Sequence, residues 1–285
     1  MVFEKDGNMT ALTMSIKKKS VLYLLLLFGL LLTLFPFLWM ISTSLKPENE
    51  IFQKTINLIP TSFTFEHYFK LFNEINFGKH FINSLLVSLG ITGSSLVINA
   101  MAAYAFAKID FPQRNRLFLL LLITMMVPMQ TTMIPSFYIL KKMGLLNTFS
   151  GLIIPAGASV YGIFLIRQFM FSIPNSLIEA ARIDGCSEWY IFWKIIIPLS
   201  RPILATITIF TFLSAWNEFL FPLIILREEA KYTLPLALAT LNGQFNTDWG
   251  LLMAGSVVVI IPVIIVFLLV QKHYIKGLTA GSVKG

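Results

Sequence analysis

Long neutral, apolar runs alternate with short charged connectors along the whole chain. Six runs stand out, over residues 21–45, 81–107, 117–140, 143–166, 202–226 and 249–270. A helix rises about 1.5 Å per residue and must cross about 30 Å of hydrocarbon, so about 20 mostly apolar residues make one crossing. Each run meets that length. Lipid offers no partner to an open backbone group, and these runs are too long for barrel strands. The pattern therefore predicts an all-α membrane protein of six transmembrane helices. Pro36, Pro128, Pro135 and Pro155 fall inside the runs and are expected to kink or break their helices. Such defects persist where protein or a water-filled cavity shelters them.

Composition strengthens this picture. Hydrophobic residues make up 56% of the 285, charged residues 13%, and the mean hydropathy is +0.77. Soluble domains carry about a quarter charged residues. The first run exceeds the roughly 7–15 residues of a signal-peptide core, so it reads as a retained span. The organisation expected is a cytoplasmic segment at 1–20, a six-helix transmembrane domain at 21–271 and a cytoplasmic tail at 272–285.

The net charge of +8 raises the question of nucleic acid, but the basic residues flank the apolar runs. That is how topology signals are placed, not how a nucleic-acid surface is built. Sorting all 22 by connector gives 14 on the side of both termini and 8 on the other, which sends both termini to the cytoplasm. The pair Lys141–Lys142 runs against the bias. Cys186, the single cysteine, has no intramolecular disulfide partner.

In the outer connector, 46–80, Phe65, Tyr68, Phe69 and Phe72 recur at helical spacing, with Thr64 as N-cap. This predicts an amphipathic helix resting on the membrane surface or on the bundle.

Catalytic chemistry is sparse. His67, His80 and His273 belong to no metal-ligand cluster, and no GxxxxGK[ST] loop is available for ATP phosphates. No metal site and no cofactor is expected on this chain, and ATP with its Mg would have to be held by a partner. Glu218 is the one obvious acid in the six runs. Counted along a continuous helix from Pro202 it lies roughly 24 Å up, beside Trp216 at an interfacial level. Asn217 and Glu218 either pair structurally near the outer surface or line a translocation path.

The connector over 172–202 differs from the others. Ser176 and Glu179 have capping-box spacing, Ala180 and Ala181 favour helix, and Gly185 is a natural stop. Ser187 can cap a second helix bearing Glu188, Trp189, Tyr190, Phe192 and Trp193. The result is a helix–glycine turn–helix under the membrane. Its alanines permit close approach of another surface, and Glu179, Arg182 and Asp184 offer charge to it.

Glu179-Ala180-Ala181, then Gly185, then Ile195-Ile196-Ile197-Pro198 resembles the EAA loop of binding-protein-dependent ABC importer permeases. Ile197 stands where that pattern usually has leucine. The likeness extends through Asn83-Ser84, Ala102–Ala107, Gly144–Thr148, Arg167–Phe169, Trp216–Phe219, Thr247–Gly250 and Gly277–Gly281, and is greatest for the smaller maltose-type carbohydrate permeases. The resemblance implies a second homologous permease, two ATP-binding-cassette ATPases and an extracytoplasmic solute-binding protein as partners, in a bacterial cell membrane. It implies that Glu179, Ala180, Ala181, Asp184 and Gly185 meet the ATPase. By the same likeness Asn242, Gly243 and Gln244 reach the binding protein, and Thr279, Gly281 and Lys284 give a secondary ATPase contact. The implied cargo is a sugar or oligosaccharide. A permease for glycerol phosphate or another polyol derivative is the alternative, although a phosphate would call for Arg or Lys within the spans. An ion-coupled secondary transporter would need ionisable groups deep in the spans, and these runs are nearly free of charge.

Overall fold

The computed structural model describes residues 16–53, 57–242 and 247–282. These described residues form helices and connecting turns, with no strand among them. Three helices are individually long and apolar enough to cross a membrane: Lys19–Ser44 within α1 (Ile16–Ser44), α3 (Phe77–Lys108), and Trp249–Leu268 within α13 (Trp249–Ser282). Three further candidates are bent pairs. Between α1 and α3 lies the short α2 (Glu66–Asn73).

The first bent pair joins Arg114–Met126, which contains α4 (Arg114–Ile123), to α5 (Met129–Lys142) at 101°. Val127 is extended ahead of Pro128, the conformation that proline imposes on its predecessor. The second pair is α6 (Ser150–Ala156) and α7 (Val160–Phe171), bent by 43°. Here the helix starts later than the apolar run, because Gly144 and Asn147 take left-handed backbone conformations at φ 69° and 59°. The third pair is α9 (Glu188–Leu199) and α10 (Arg201–Trp216), bent by 79°. Before it comes α8 (Asn175–Ile183), and after it α11 (Leu220–Ile225) and α12 (Leu234–Thr240).

Several expectations need correction. The run at 202–226 is not one helix. It ends at Trp216 and restarts at Leu220, because Pro222 cannot donate into a continuous ladder and Glu218 Oε1 instead accepts from Phe221 N at 3.1 Å. Trp216 is fully buried in the cluster at the Phe77 end of the bundle, with its indole N–H on Val259 O at 3.1 Å. Pro36 lies within α1 without ending it. Ser176 is not a cap: α8 begins at Asn175 with Pro174 in the N-cap position. Phe65 is the N-cap of α2, yet Thr64 Oγ1 still accepts from Glu66 N at 3.2 Å.

The α3 helix is the axis of the bundle, packed against α7 and α10, while α1 lies along α13. Small side chains let its neighbours approach. Ser84, Ser88, Thr92, Ser95 and Asn99 follow one another at intervals of three or four on a buried face. Three apolar clusters succeed each other along α3. At one end Phe77 joins Leu71, Trp216, Leu234 and Ala254; mid-helix Val87 and Ile91 meet Leu152, Phe221 and Ile225. At the other end Ala103, Tyr104 and Ala107 pack with Ile166, Met170, Ile178, Ala181, Ile191 and Phe192. The α8–α9 loop is thus part of the bundle's own core at that end.

The expected amphipathic helix is present as α2, and it faces both ways. His67 and Leu71 are buried against the bundle, whereas Phe65, Phe69 and Phe72 are exposed. The His67 ring lies where a Cβ on Gly250 would stand, so glycine there admits the close contact between α2 and α13.

Candidate functional site

Halfway along the bundle is a cavity of about 620 Å³, walled by α3, α5, α6, α7, α10 and α11. Thr132, Ser136, Thr211 and Ser214 are among its lining residues, together with apolar side chains such as Ile91 and Phe210. Glu218 is the single charged residue among its described lining residues, and no lysine or arginine lines it. Neighbouring Asn217 is not in that wall: it is exposed, and its side chain donates back to Leu213 O at 2.8 Å. Glu218 comes to the cavity because α10 has ended and its carboxylate caps α11. Hydroxyls on an apolar wall suit a polyhydroxylated solute, which offers donors, acceptors and C–H faces together.

The second constellation is the helix–turn–helix at the Tyr104 end. α8 closes on Gly185, whose φ is +81°. Gly185 N bonds Arg182 O at 3.0 Å and Cys186 N bonds Ala181 O at 2.9 Å, the paired hydrogen bonds of a Schellman stop. Ser187 caps α9, its Oγ accepting from Tyr190 N at 3.2 Å. α9 contains a π-helical turn over Ile191–Ile196. Glu179, Ala180, Asp184 and Gly185 are exposed on α8 and its turn, beside Ile183 at 86% exposure. Ala181 differs from the expectation: it is buried with Ile178 against the bundle, so its small size fits the chain's own core. Lys108 Nζ fastens the start of α8 to α3, donating to Ile173 O at 2.6 Å and Asn175 Oδ1 at 2.7 Å.

The family profile described as binding-protein-dependent transport system inner membrane component matches residues 95–279. The chain belongs to that family. It is 40% identical over 257 residues to the arabinooligosaccharides transport system permease protein AraQ of Halalkalibacterium halodurans, covering 89% of this chain and 92% of that one. It is 31% identical over 264 residues to the sn-glycerol-3-phosphate transport system permease protein UgpE of Yersinia pestis, covering 90% and 94%. Among solved structures it resembles a chain of a bacterial ABC transporter involved in the import of the acidic polysaccharide alginate. That match has a TM-score of 0.83, 29% identity, and covers 90% of this chain and 98% of that one. The fold is that of an ABC importer permease, and the chain is a transmembrane permease subunit of such an importer.

In this permease the Gly144–Thr148 segment is a staple. Asn147 Oδ1 accepts the backbone N–H of Arg227 at 3.1 Å and of Glu228 at 3.2 Å, and its amide donates to Glu228 Oε1 at 2.6 Å. The hydrogen bond from Lys231, with that from Asn147, holds the Glu228 carboxyl below its usual value. Asn242 accepts from Thr247 Oγ1 at 2.9 Å, while Gly243 and Gln244 lie outside the described residues. Thr279 and Gly281 fall on the final helix, and Lys284 lies outside the described residues.

Sequence reasoning passed over Asn99 and the Tyr104–Glu188 contact, and gave Arg167 no structural role. Arg167 is buried, its guanidinium 3.8 Å from the Phe118 ring centroid and its Nε on Phe106 O at 3.1 Å. The polar spacing 88, 92, 95, 99 within an apolar run was the available signal for α3's buried polar face.

Proposed function

We propose that this permease, paired with a second homologous subunit, forms the membrane pathway for a neutral sugar or oligosaccharide delivered by an extracytoplasmic binding protein. The cavity carries the reading: its largely apolar wall includes serines, threonines and one glutamate and has no cation to receive a phosphate or uronate. Similarity to an arabinooligosaccharide permease supports it.

The energy would come from two separate ATP-binding-cassette subunits, since this chain has no phosphate-binding loop. α8 is the docking element, with Glu179, Ala180, Asp184 and Gly185 presenting the exposed face and Ala181 keying the helix into the bundle. Six crossings follow if each bent pair is one span, and the basic bias then sends both termini to the cytoplasm. Asn242–Gln244 would meet the binding protein, and Thr279–Lys284 would make a secondary ATPase contact.

The test is uptake by the complete complex in proteoliposomes with its binding protein. Neutral oligosaccharide should accumulate, and glycerol 3-phosphate should neither accumulate nor compete. Accumulation of glycerol 3-phosphate would overturn the substrate class in favour of the polyol-phosphate reading, for which UgpE supplies the precedent.

A further inference from the structure

One carboxylate joins three segments at the Tyr104 end of the bundle. The Tyr104 hydroxyl donates to Glu188 Oε2 at 2.6 Å, across 84 residues of sequence. The other oxygen, Oε1, accepts from Arg182 Nε at 2.6 Å. Tyr104 belongs to α3 and is 4% exposed, Arg182 is in the last turn of α8, and Glu188 is the first residue of α9. The Tyr104 ring packs on Phe192 of α9 at 5.4 Å between centroids.

The geometry has a mechanical consequence. Lys108 already fastens the beginning of α8 to α3. Tyr104, acting through Glu188 and Arg182, fastens its end. A helix held at one end can swivel about that attachment, whereas one held at both ends moves with its support. The support here is α3, which also walls the cavity through Val87, Ile91 and Ser95. Apolar contacts at Ile178 and Ala181 alone are non-directional and tolerate sliding. The polar tie removes that freedom.

Glutamate suits the position because it has two acceptor oxygens for two converging donors. Glutamine would keep one acceptor and turn an NH₂ group toward a donor. The tie is also strong for its size, because both hydrogen bonds end on an ionised carboxylate.

We propose that Tyr104 and Glu188 are positioning residues that transmit displacement of α8 to the cavity-lining helix α3. The proposal rests on reading α8 as the ATPase-docking helix. The whole importer, with its ATPases and binding protein, is reconstituted carrying Tyr104→Phe, Glu188→Gln or both, and Glu179→Lys is prepared alongside. Subunit retention, stimulated ATP hydrolysis and substrate accumulated per ATP are read for each. Tyr104→Phe removes one oxygen and leaves the Arg182–Glu188 pair in place. It should keep the ATPases bound while lowering substrate per ATP roughly three- to tenfold. Glu188→Gln should lower the ratio at least as far, and the double variant should fall no further than Glu188→Gln, because both break one tie. If Tyr104→Phe fails to assemble, Glu188→Gln at its exposed position carries the same test.

An unchanged ratio, or uptake and hydrolysis falling in parallel with lower complex yield, would make the contact merely structural and overturn the proposal. Should Glu179→Lys uncouple the importer while Tyr104→Phe does not, the tie is refuted and the docking role of α8 stands. Full retention and coupled uptake in Glu179→Lys would refute that docking role itself.

Discussion

Asn99 Oδ1 accepts the backbone N–H of Ser159 at 2.9 Å, in the break between α6 and α7. Asn99 is completely buried, and its amide donates to Ser95 Oγ at 2.7 Å. Ser159 in turn caps α7, its hydroxyl accepting from Gly162 N at 3.2 Å. A helix interruption inside a membrane bundle leaves donors that lipid cannot satisfy, and Asn99 supplies the missing acceptor from a neighbouring helix.

Asn99→Leu should therefore destabilise the permease by about 1–3 kcal/mol, the cost of leaving a buried donor unpaired. Gly162→Ala should injure the same joint, since an added Cβ would stand 2.5 Å from Asn99 Nδ2. Melting curves of the purified complex provide the measurement. A melting temperature equal to wild type in Asn99→Leu would show that the break finds another acceptor.

This joint marks how far the sequence could be read. Lengths of apolar runs located the long helices α1, α3 and α13, and Pro128 announced the sharpest bend, because proline constrains both itself and its predecessor. The break at Asn217 was not legible. Hydropathy stays high from 202 to 226, and only the partnership of Glu218 with Phe221 N shows that one helix ends and another begins. Ala181 was assigned to an outward face on local pattern, but its burial depends on where α9 and α3 pack, which are nonlocal facts. Gly185 and Ser187 were legible because positive φ and N-capping are local requirements.

Glu218 has two separable duties, a helix cap and the cavity's charge. Glu218→Gln keeps an acceptor for Phe221 N, so complex yield should stay near wild type while uptake changes. Glu218→Ala loses the cap as well, at about 1 kcal/mol, and should lower both. Yield measured beside uptake distinguishes them. Normal uptake by Glu218→Gln would remove the charge from the transport mechanism.

The Asn147–Glu228–Lys231 staple should respond to acid. The Glu228 carboxyl is held below its ordinary value, chiefly by the Lys231 hydrogen bond. A depressed carboxyl contributes stability that is present above the unfolded value and lost as pH falls through the lower folded value. The melting temperature of the complex should therefore be insensitive to this group from pH 7 to about 5. Below that range the difference between wild type and Glu228→Gln should shrink. The effect is small, because Glu228 is largely exposed. A difference that widens on acidification would contradict the assignment.

Gly185 offers the sharpest test of the docking loop. An added Cβ would meet nothing within 4 Å, so the whole effect of substitution must come from its φ of +81°. A β-branched residue is strained there, at an order of 1–3 kcal/mol, whereas asparagine enters the left-handed region more readily. Gly185→Val should break the Schellman stop, re-aim the exposed face at Glu179 and Ala180, and leave the membrane crossings inserted. Gly185→Asn should retain most activity. Glu179→Lys attacks the same surface by charge reversal and should weaken ATPase retention without altering the fold. The three variants are compared by copurification with the ATPase, uptake and binding-protein-stimulated hydrolysis. The expected order of uptake is wild type, then Gly185→Asn, then Gly185→Val, with hydrolysis persisting in Gly185→Val as transport fails. Equal uptake in Val and Asn variants would mean that the turn's backbone conformation does not aim the helix. Full retention of the ATPase in Glu179→Lys would remove that carboxylate from the docking surface.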